Sequence, residues 1–198
     1  MRSAIDKLIS GAGIGLIAVL LAAGGLLLWA NAFIGDQVHN QLSMQGITMP
    51  EGQALQGLPA ADRKALEPYA GSALDTGPEA KAFADHYILV HMNEASGGQT
   101  YEEVSGKYVA MTDQQKASAD GQALGQLRQT LFMGNTLRGL LLYGYAFATI
   151  GTIAGIAAIV CFARAGLLTV LVALGFWHAR RAEQTAERLV PTGAAQPA

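Results

Sequence analysis

Residues 139–177 form an apolar run of 39 residues broken by a single charge, Arg164. A helix rises about 1.5 Å per residue and the hydrocarbon core of a bilayer is about 30 Å thick, so one crossing takes about 20 residues. The run is nearly twice that length. A second uncharged stretch, residues 8–30, spans 23 residues near the other end. Only 14% of the chain is charged, against about 25% in ordinary soluble proteins. The apolar residues are segregated into these two blocks, with a polar block between them. That is the pattern of a membrane protein carrying one small extramembrane domain.

The predicted fold class is therefore an all-α membrane protein, with two transmembrane helices flanking a small, mostly helical extracytoplasmic domain. Residues 1–7 form a short cytoplasmic tail and residues 8–33 the first transmembrane helix. The extracytoplasmic domain covers 34–138 and the second transmembrane helix 139–163. An apolar helical extension or interfacial segment follows over 164–179, then a disordered cytoplasmic tail over 180–198. Trp29 and Phe33 stand where an interfacial aromatic belt belongs. A second reading of the N-terminus is a signal peptide ending at Ala30-Asn31-Ala32. The uncharged run exceeds the 7–15 residues of such a signal, which favours an uncleaved helix.

Arg164 decides between two placements of the second crossing. A span over 139–163 leaves Arg164 at the boundary, where its head snorkels, and sets Tyr143 and Tyr145 near the other interface. A span over 154–177 puts Arg164 near mid-bilayer, at a cost of several kcal/mol. The first is preferred. It makes residues 165–177 too short to span and too apolar for water, and hence a candidate docking segment on the inner leaflet or a partner.

Charge sets the orientation. Lys7 flanks the first block, and Arg180 and Arg181 flank the second, while residues 34–138 carry seven Lys and Arg against twelve Asp and Glu. The positive-inside rule then puts both termini in the cytoplasm and the acidic loop outside. The one cysteine, Cys161, lies in an apolar run, so no intrachain disulfide holds the outer domain together.

Within that domain the first helix is predicted to continue as far as Gly46, and Pro50 makes the preceding residues extended. A short helix follows over 61–67. Thr76 with Glu79, Thr100 with Glu103, and Thr112 with Gln115 each have capping-box spacing. The first box starts a helix over 78–95 with Phe83, Tyr87 and Val90 on one face. Leu124, Leu127 and Leu131 make a stripe on the last helix, which is predicted to start near Asp113.

Candidate chemistry is sparse. His86, His91 and Glu94 invite a metal-site reading, with His91 and Glu94 one helical turn apart. His86 and His91 are five apart, and sharing one helix face needs three or four. The competing reading is that His91 caps or packs within the domain. Neighbouring carboxylates such as Glu102 and Glu103 diverge by about 100° on a helix and form no dyad. No phosphate loop, cofactor motif or basic nucleic-acid patch is present, and the loop is acidic. The apolar blocks hold GxxxG pairs, Gly11 with Gly15 and Gly151 with Gly155. Small residues at this spacing let helices approach closely in lipid, and mark candidate helix–helix contacts.

The stretch His91-Met-Asn-Glu94-Ala-Ser-Gly97-Gly98-Gln-Thr100-Tyr101-Glu-Glu103 resembles a motif of an uncharacterised family of small actinobacterial two-span membrane proteins. The likeness extends to Gly46-Ile-Thr-Met-Pro50 and to Thr136-Leu-Arg138, covering about residues 10–163. The resemblance implies two spans, an outer helical domain and no characterised activity. Family members often bear the label aromatic ring-opening dioxygenase, a chemistry that takes two histidines and a carboxylate on iron. This chain departs from the pattern around residues 112–121 and in its apolar stretch after Arg164. Physically the motif ends one helix and starts the next, and so makes a helix–turn–helix corner.

The expected function is that of a non-enzymatic integral protein of the bacterial plasma membrane, without cofactors, in contact with lipids. It would serve as an accessory or scaffold subunit on a larger membrane complex, or self-associate. The alternative is a membrane-anchored, metal-dependent oxygenase-like enzyme using His86, His91 and Glu94.

Overall fold

In the computed structural model, which describes residues 2–189, helix is the only extended regular structure, and an isolated antiparallel bridge joins Thr48 to Ala73. Helix α1 is Arg2–Ser43 and α8 is Ala119–Leu189. Between them lie α2 Gln53–Gln56, α3 Ala60–Leu66, α4 Gly77–Phe83, α5 Leu89–Ser96, α6 Tyr101–Val109 and α7 Asp113–Lys116. Two helical segments, Lys7–Ser43 and Ala119–Ala182, are long and apolar enough to cross a membrane. Their most apolar windows are only 6% and 11% buried, unlike the core helix of a water-soluble protein.

Helix α8 is unbroken from Ala119 to Leu189, so no turn separates the expected span 139–163 from the extension 164–179. The expected tail from residue 180 is helical as far as Leu189, and residues 190–198 lie outside the described residues. The chain groups into two compact units, and their boundary on α8 falls after Gly151 rather than before Gly139.

The first unit joins α1 up to Asn31 with α8 from Thr152. The two helices run antiparallel: Ser10 lies beside Gly175, Gly13 beside Val172, Gly24 beside Cys161 and Phe162, and Asn31 beside Gly155. The buried positions of α8 in this unit are alanines, Ala154 at 9%, Ala158 at 1%, Ala165 at 2% and Ala179 at 1% exposure, the last three separated by multiples of seven residues. Ser10 and Gly24 are buried on the α1 side, fourteen residues apart. A repeat of seven rather than 3.6 residues keeps one stripe facing the partner along a gently supercoiled pair. Residues 165–177, expected to lie on the inner leaflet or a partner, pack one side on α1 through this seam.

The second unit is Ala32–Gly151. Its core gathers Leu42 from α1, Leu66 from α3, Ala80 and Ala82 from α4, and Leu141 from α8, with Met49 and Leu74 from the connecting loops. Phe83, Tyr87 and Val90 pack against it, along the predicted apolar face. A smaller cluster joins Met92 of α5, Val104 of α6 and Leu131 of α8, with Leu124 and Leu127 beside them. The residues that make 139–151 apolar thus include core residues of this unit.

All three capping boxes form, at Thr76, Thr100 and Thr112. In the first, the Glu79 carboxylate accepts hydrogen bonds from the Thr76 hydroxyl (2.8 Å), the Thr76 and Asp75 backbone N–H groups (3.0 and 3.1 Å) and the Ser72 hydroxyl (2.9 Å). Burial works to raise the Glu79 pKa, but these donors together hold it below the ordinary value. The helix predicted over 78–95 contains a π-helical turn, Ala84–Ile88, between α4 and α5.

Close packing at the start of α4 turns on Gly77, where an added Cβ would collide with that of Ala148 and come within 3.3 Å of the Tyr145 Cα. Gly77→Ala is expected to lower stability by about 1–3 kcal/mol, as overpacking against backbone does. Thermal unfolding of the full chain in mild detergent measures it. Adding Ala148→Gly is expected to restore part of the loss, and no restoration would refute the contact.

Candidate functional site

The sequence motif is a helix corner in three dimensions. Helix α5 ends at Gly97, whose left-handed backbone (φ 61°, ψ 33°) suits a residue without a side chain. Gly98 N–H donates to the Asn93 carbonyl at 2.8 Å. Thr100 then opens α6, its N–H and hydroxyl donating to the Glu103 carboxylate at 2.7 and 2.9 Å. Tyr101 lies 5.9 Å from Phe132 between ring centroids, against α8. His91, Glu94, Gly97, Gly98, Thr100 and Glu103 are exposed. Each of these interactions ends, caps or packs a helix.

His86 and His91 turn to different partners. His86 Nδ1 lies 2.8 Å from Asp62 Oδ1, tying the π turn to α3. His91 donates from Nδ1 to the Tyr87 carbonyl at 2.8 Å, with its ring 4.4 Å from that of Tyr87. Glu94 joins neither, and no group of three His, Cys, Asp or Glu able to hold a metal occurs among the described residues.

Asp85, beside His86, anchors a charge cluster that sequence reading overlooked. It accepts from Lys81 one turn earlier and from Arg138 Nη2 of α8 at 2.8 Å. Burial acts to raise its pKa, but the Lys81 and Arg138 hydrogen bonds and charges outweigh it and hold the carboxyl below its usual value. The Lys81 ammonium also stands 5.5 Å from the Tyr145 ring centroid. Lys81 and Asp85 have a legible i, i+4 spacing; Arg138, 53 residues away, gives no local signal.

A cavity of about 720 Å³ lies within the Ala32–Gly151 unit between the end of α1 and residues 140–150 of α8. Gln37 and Gln41 of α1 and Gln45 of the turn after it line it at four-residue spacing, with Phe33, Tyr143 and Phe147 among its apolar lining. Its lining holds no carboxylate, imidazole, thiol or amine. Amides beside aromatic and aliphatic surface suit an amphiphile, binding its chain by burial and its head by hydrogen bonds. The i, i+4, i+8 glutamines were visible in the sequence; the wall opposite them was not.

Of the four glycines singled out for helix contact, Gly155 lies against Asn31, where an added Cβ would sit 3.0 Å from its amide nitrogen. Gly151 is buried. Gly11 and Gly15 have nothing within 4 Å of where a Cβ would be, so they lie off the seam. Gly13, against Val172, and Gly24, against Cys161 and Phe162, take their place on the α1 side.

Family models, curated proteins and solved structures give no match to this chain.

Two outcomes test this geometry. Gly13→Leu is expected to destabilise the α1–α8 pair and Gly11→Leu to leave it intact, read by thermal unfolding in mild detergent; equal effects would refute the seam. For Asp85, a lowered folded pKa means stability that is present above the unfolded carboxyl value and lost as pH falls through the folded one. The acid limb of a stability–pH curve is expected to flatten in Asp85→Asn, and an unchanged limb would exclude this group.

Proposed function

We propose that this chain is a non-enzymatic integral protein of the bacterial plasma membrane, an accessory or scaffold subunit that holds its helical domain outside the cell. The observation that carries the reading is the hairpin of α1 and α8. Its seam is built from small residues, so the large apolar side chains point outward: Leu8 is 76% exposed, Leu26 69%, Ile159 69% and Leu167 62%. An outward surface of this kind needs lipid or another membrane helix over it. The basic flanks Lys7, Arg180 and Arg181 favour cytoplasmic termini, and the acidic central segment favours the outside.

The helix pairing also bears on which part of α8 lies in lipid. Asn31 meets Gly155 in one unit, and Leu42 meets Gly144 in the other. A bilayer spanning residues 139–163 would therefore take in the α1 stretch containing Asp36, Gln37, His39, Asn40 and Gln41. A crossing over about 154–177 instead faces the uncharged residues 10–31 of α1. The second placement is the one we adopt. It reverses the preference drawn from Arg164 alone, because burying one arginine displaces fewer polar groups than burying the end of α1.

The outer domain fits a structural part. Glu79 is engaged in a cap, Asp85 with Lys81 and Arg138, and Asp62 with His86.

Two measurements test the proposal. The chain is expected to stay with the membrane pellet through alkaline carbonate extraction. In gentle detergent it is expected to migrate in native gels as part of a larger assembly. Recovery solely as a free monomer would overturn the accessory reading.

A further inference from the structure

Arg164 occupies an unusual place on the hairpin. Between the contact of Gly155 with Asn31 and that of Gly175 with Ser10, a paired stretch of 21 residues on α8 faces uncharged α1 sequence, about 30 Å of helix and hence the thickness of a hydrocarbon core. Arg164 lies about 14 Å from one end of it and about 16 Å from the other. It neighbours the buried Ala165 but is itself exposed. Among the described residues it makes no hydrogen bond, ion pair or cation–π contact of the kind that engages Arg128, Arg138 and Arg181. A guanidinium is a permanent cation, and one facing hydrocarbon at mid-depth without a counter-charge is costly.

Two sources of counter-charge are ruled out by position. Lipid phosphates stand beyond either end of the paired stretch, farther than an arginine side chain reaches from its centre. A second copy of this chain brings no carboxylate to that depth: α1 has none between Asp6 and Asp36, and α8 has none between Asp120 and Glu183. The surface around Arg164 is suited to a helix. Val160, Leu167 and Leu171 stand at i−4, i+3 and i+7, exposed by 46%, 62% and 53%, and so make one apolar stripe with the charge inside it.

From this we infer that the Val160–Arg164–Leu167–Leu171 face of α8 docks a membrane-spanning helix of a different protein, one that carries an Asp or Glu near the bilayer centre. Arg164 pairs with that carboxylate in a bidentate geometry, and the apolar stripe packs beside it. The inference rests on the membrane reading above and names the chemistry of the partner.

The test uses the full chain in its native membranes, with a photo-crosslinking amino acid at Leu167 and mass spectrometry of the joined peptides. The expected product is a peptide from an apolar segment of another protein containing a single Asp or Glu. Arg164→Leu is expected to reduce the yield tenfold or more, and Arg164→Lys to retain part of it. Arg164→Glu is expected to lose it and to regain it when the partner's carboxylate is changed to Lys. Products with this same chain alone, products with lipid alone, or undiminished yield in Arg164→Leu would each overturn the inference. Carbonate extraction of each variant keeps the two readings apart. A chain released by carbonate refutes the membrane reading itself, whereas a carbonate-resistant chain without the carboxylate-bearing product refutes only the docking.

Discussion

Close approach of two helix backbones along a seam of small side chains is the constraint from which the hairpin follows. In lipid no hydrophobic force draws two apolar helices together, so association depends on how much surface comes into van der Waals contact. Ala158, Ala165 and Ala179 on α8 and Gly13 and Gly24 on α1 allow that contact. The same economy of volume has a second effect. Small residues inside the seam leave the bulky ones outside, and the outer surface of the pair becomes the part of the molecule that other molecules meet.

The helical domain is held by different means. Its core is aliphatic, with Met49, Leu66, Leu74 and Leu141 almost fully buried, but its short helices are too brief to be stable alone. Capping boxes at Thr76, Thr100 and Thr112 supply their starts, and Gly97 supplies a stop. Polar ties fasten what the core does not reach: Asp62 to His86 across α3 and the π turn, and Asp85 to Arg138 across to α8. Helix α8 serves both units. Residues before Gly151 contribute Leu131 and Leu141 to the domain, and residues after it carry the seam. The oversized apolar run thus runs through both units on one helix, with no turn between.

Part of this was legible from local chemistry. Each capping box is written within four residues, so Thr76–Glu79 and its two counterparts could be read directly. The Phe83, Tyr87 and Val90 face and the Leu124, Leu127 and Leu131 stripe follow from helical periodicity, and both pack as read. What local reading missed has a physical cause in each case. The π turn at Ala84–Ile88 has no sequence signature in this chain. Gly11 and Gly15 satisfied a motif yet face open space, because GxxxG spacing does not say which side of α1 is turned to α8; Ser10, Gly13 and Gly24 are on that side. The spacing of five already set His86 and His91 on different faces; what it could not name was their partners, Asp62 for His86 and the Tyr87 carbonyl for His91.

By itself the sequence determined that the chain is helical, where the helices capped by Thr76, Thr100 and Thr112 begin, and that two of its helices are long and apolar enough to cross a membrane. These properties depend on composition and on neighbours within a turn or two. Only the tertiary structure decided the register of α1 against α8, and with it the place of Arg164. Hydropathy reports how apolar a stretch is but not what stands beside it. Residues 139–151 and 165–177 look alike in sequence and become different things, one set against the core of the Ala32–Gly151 unit and the other along a helix seam.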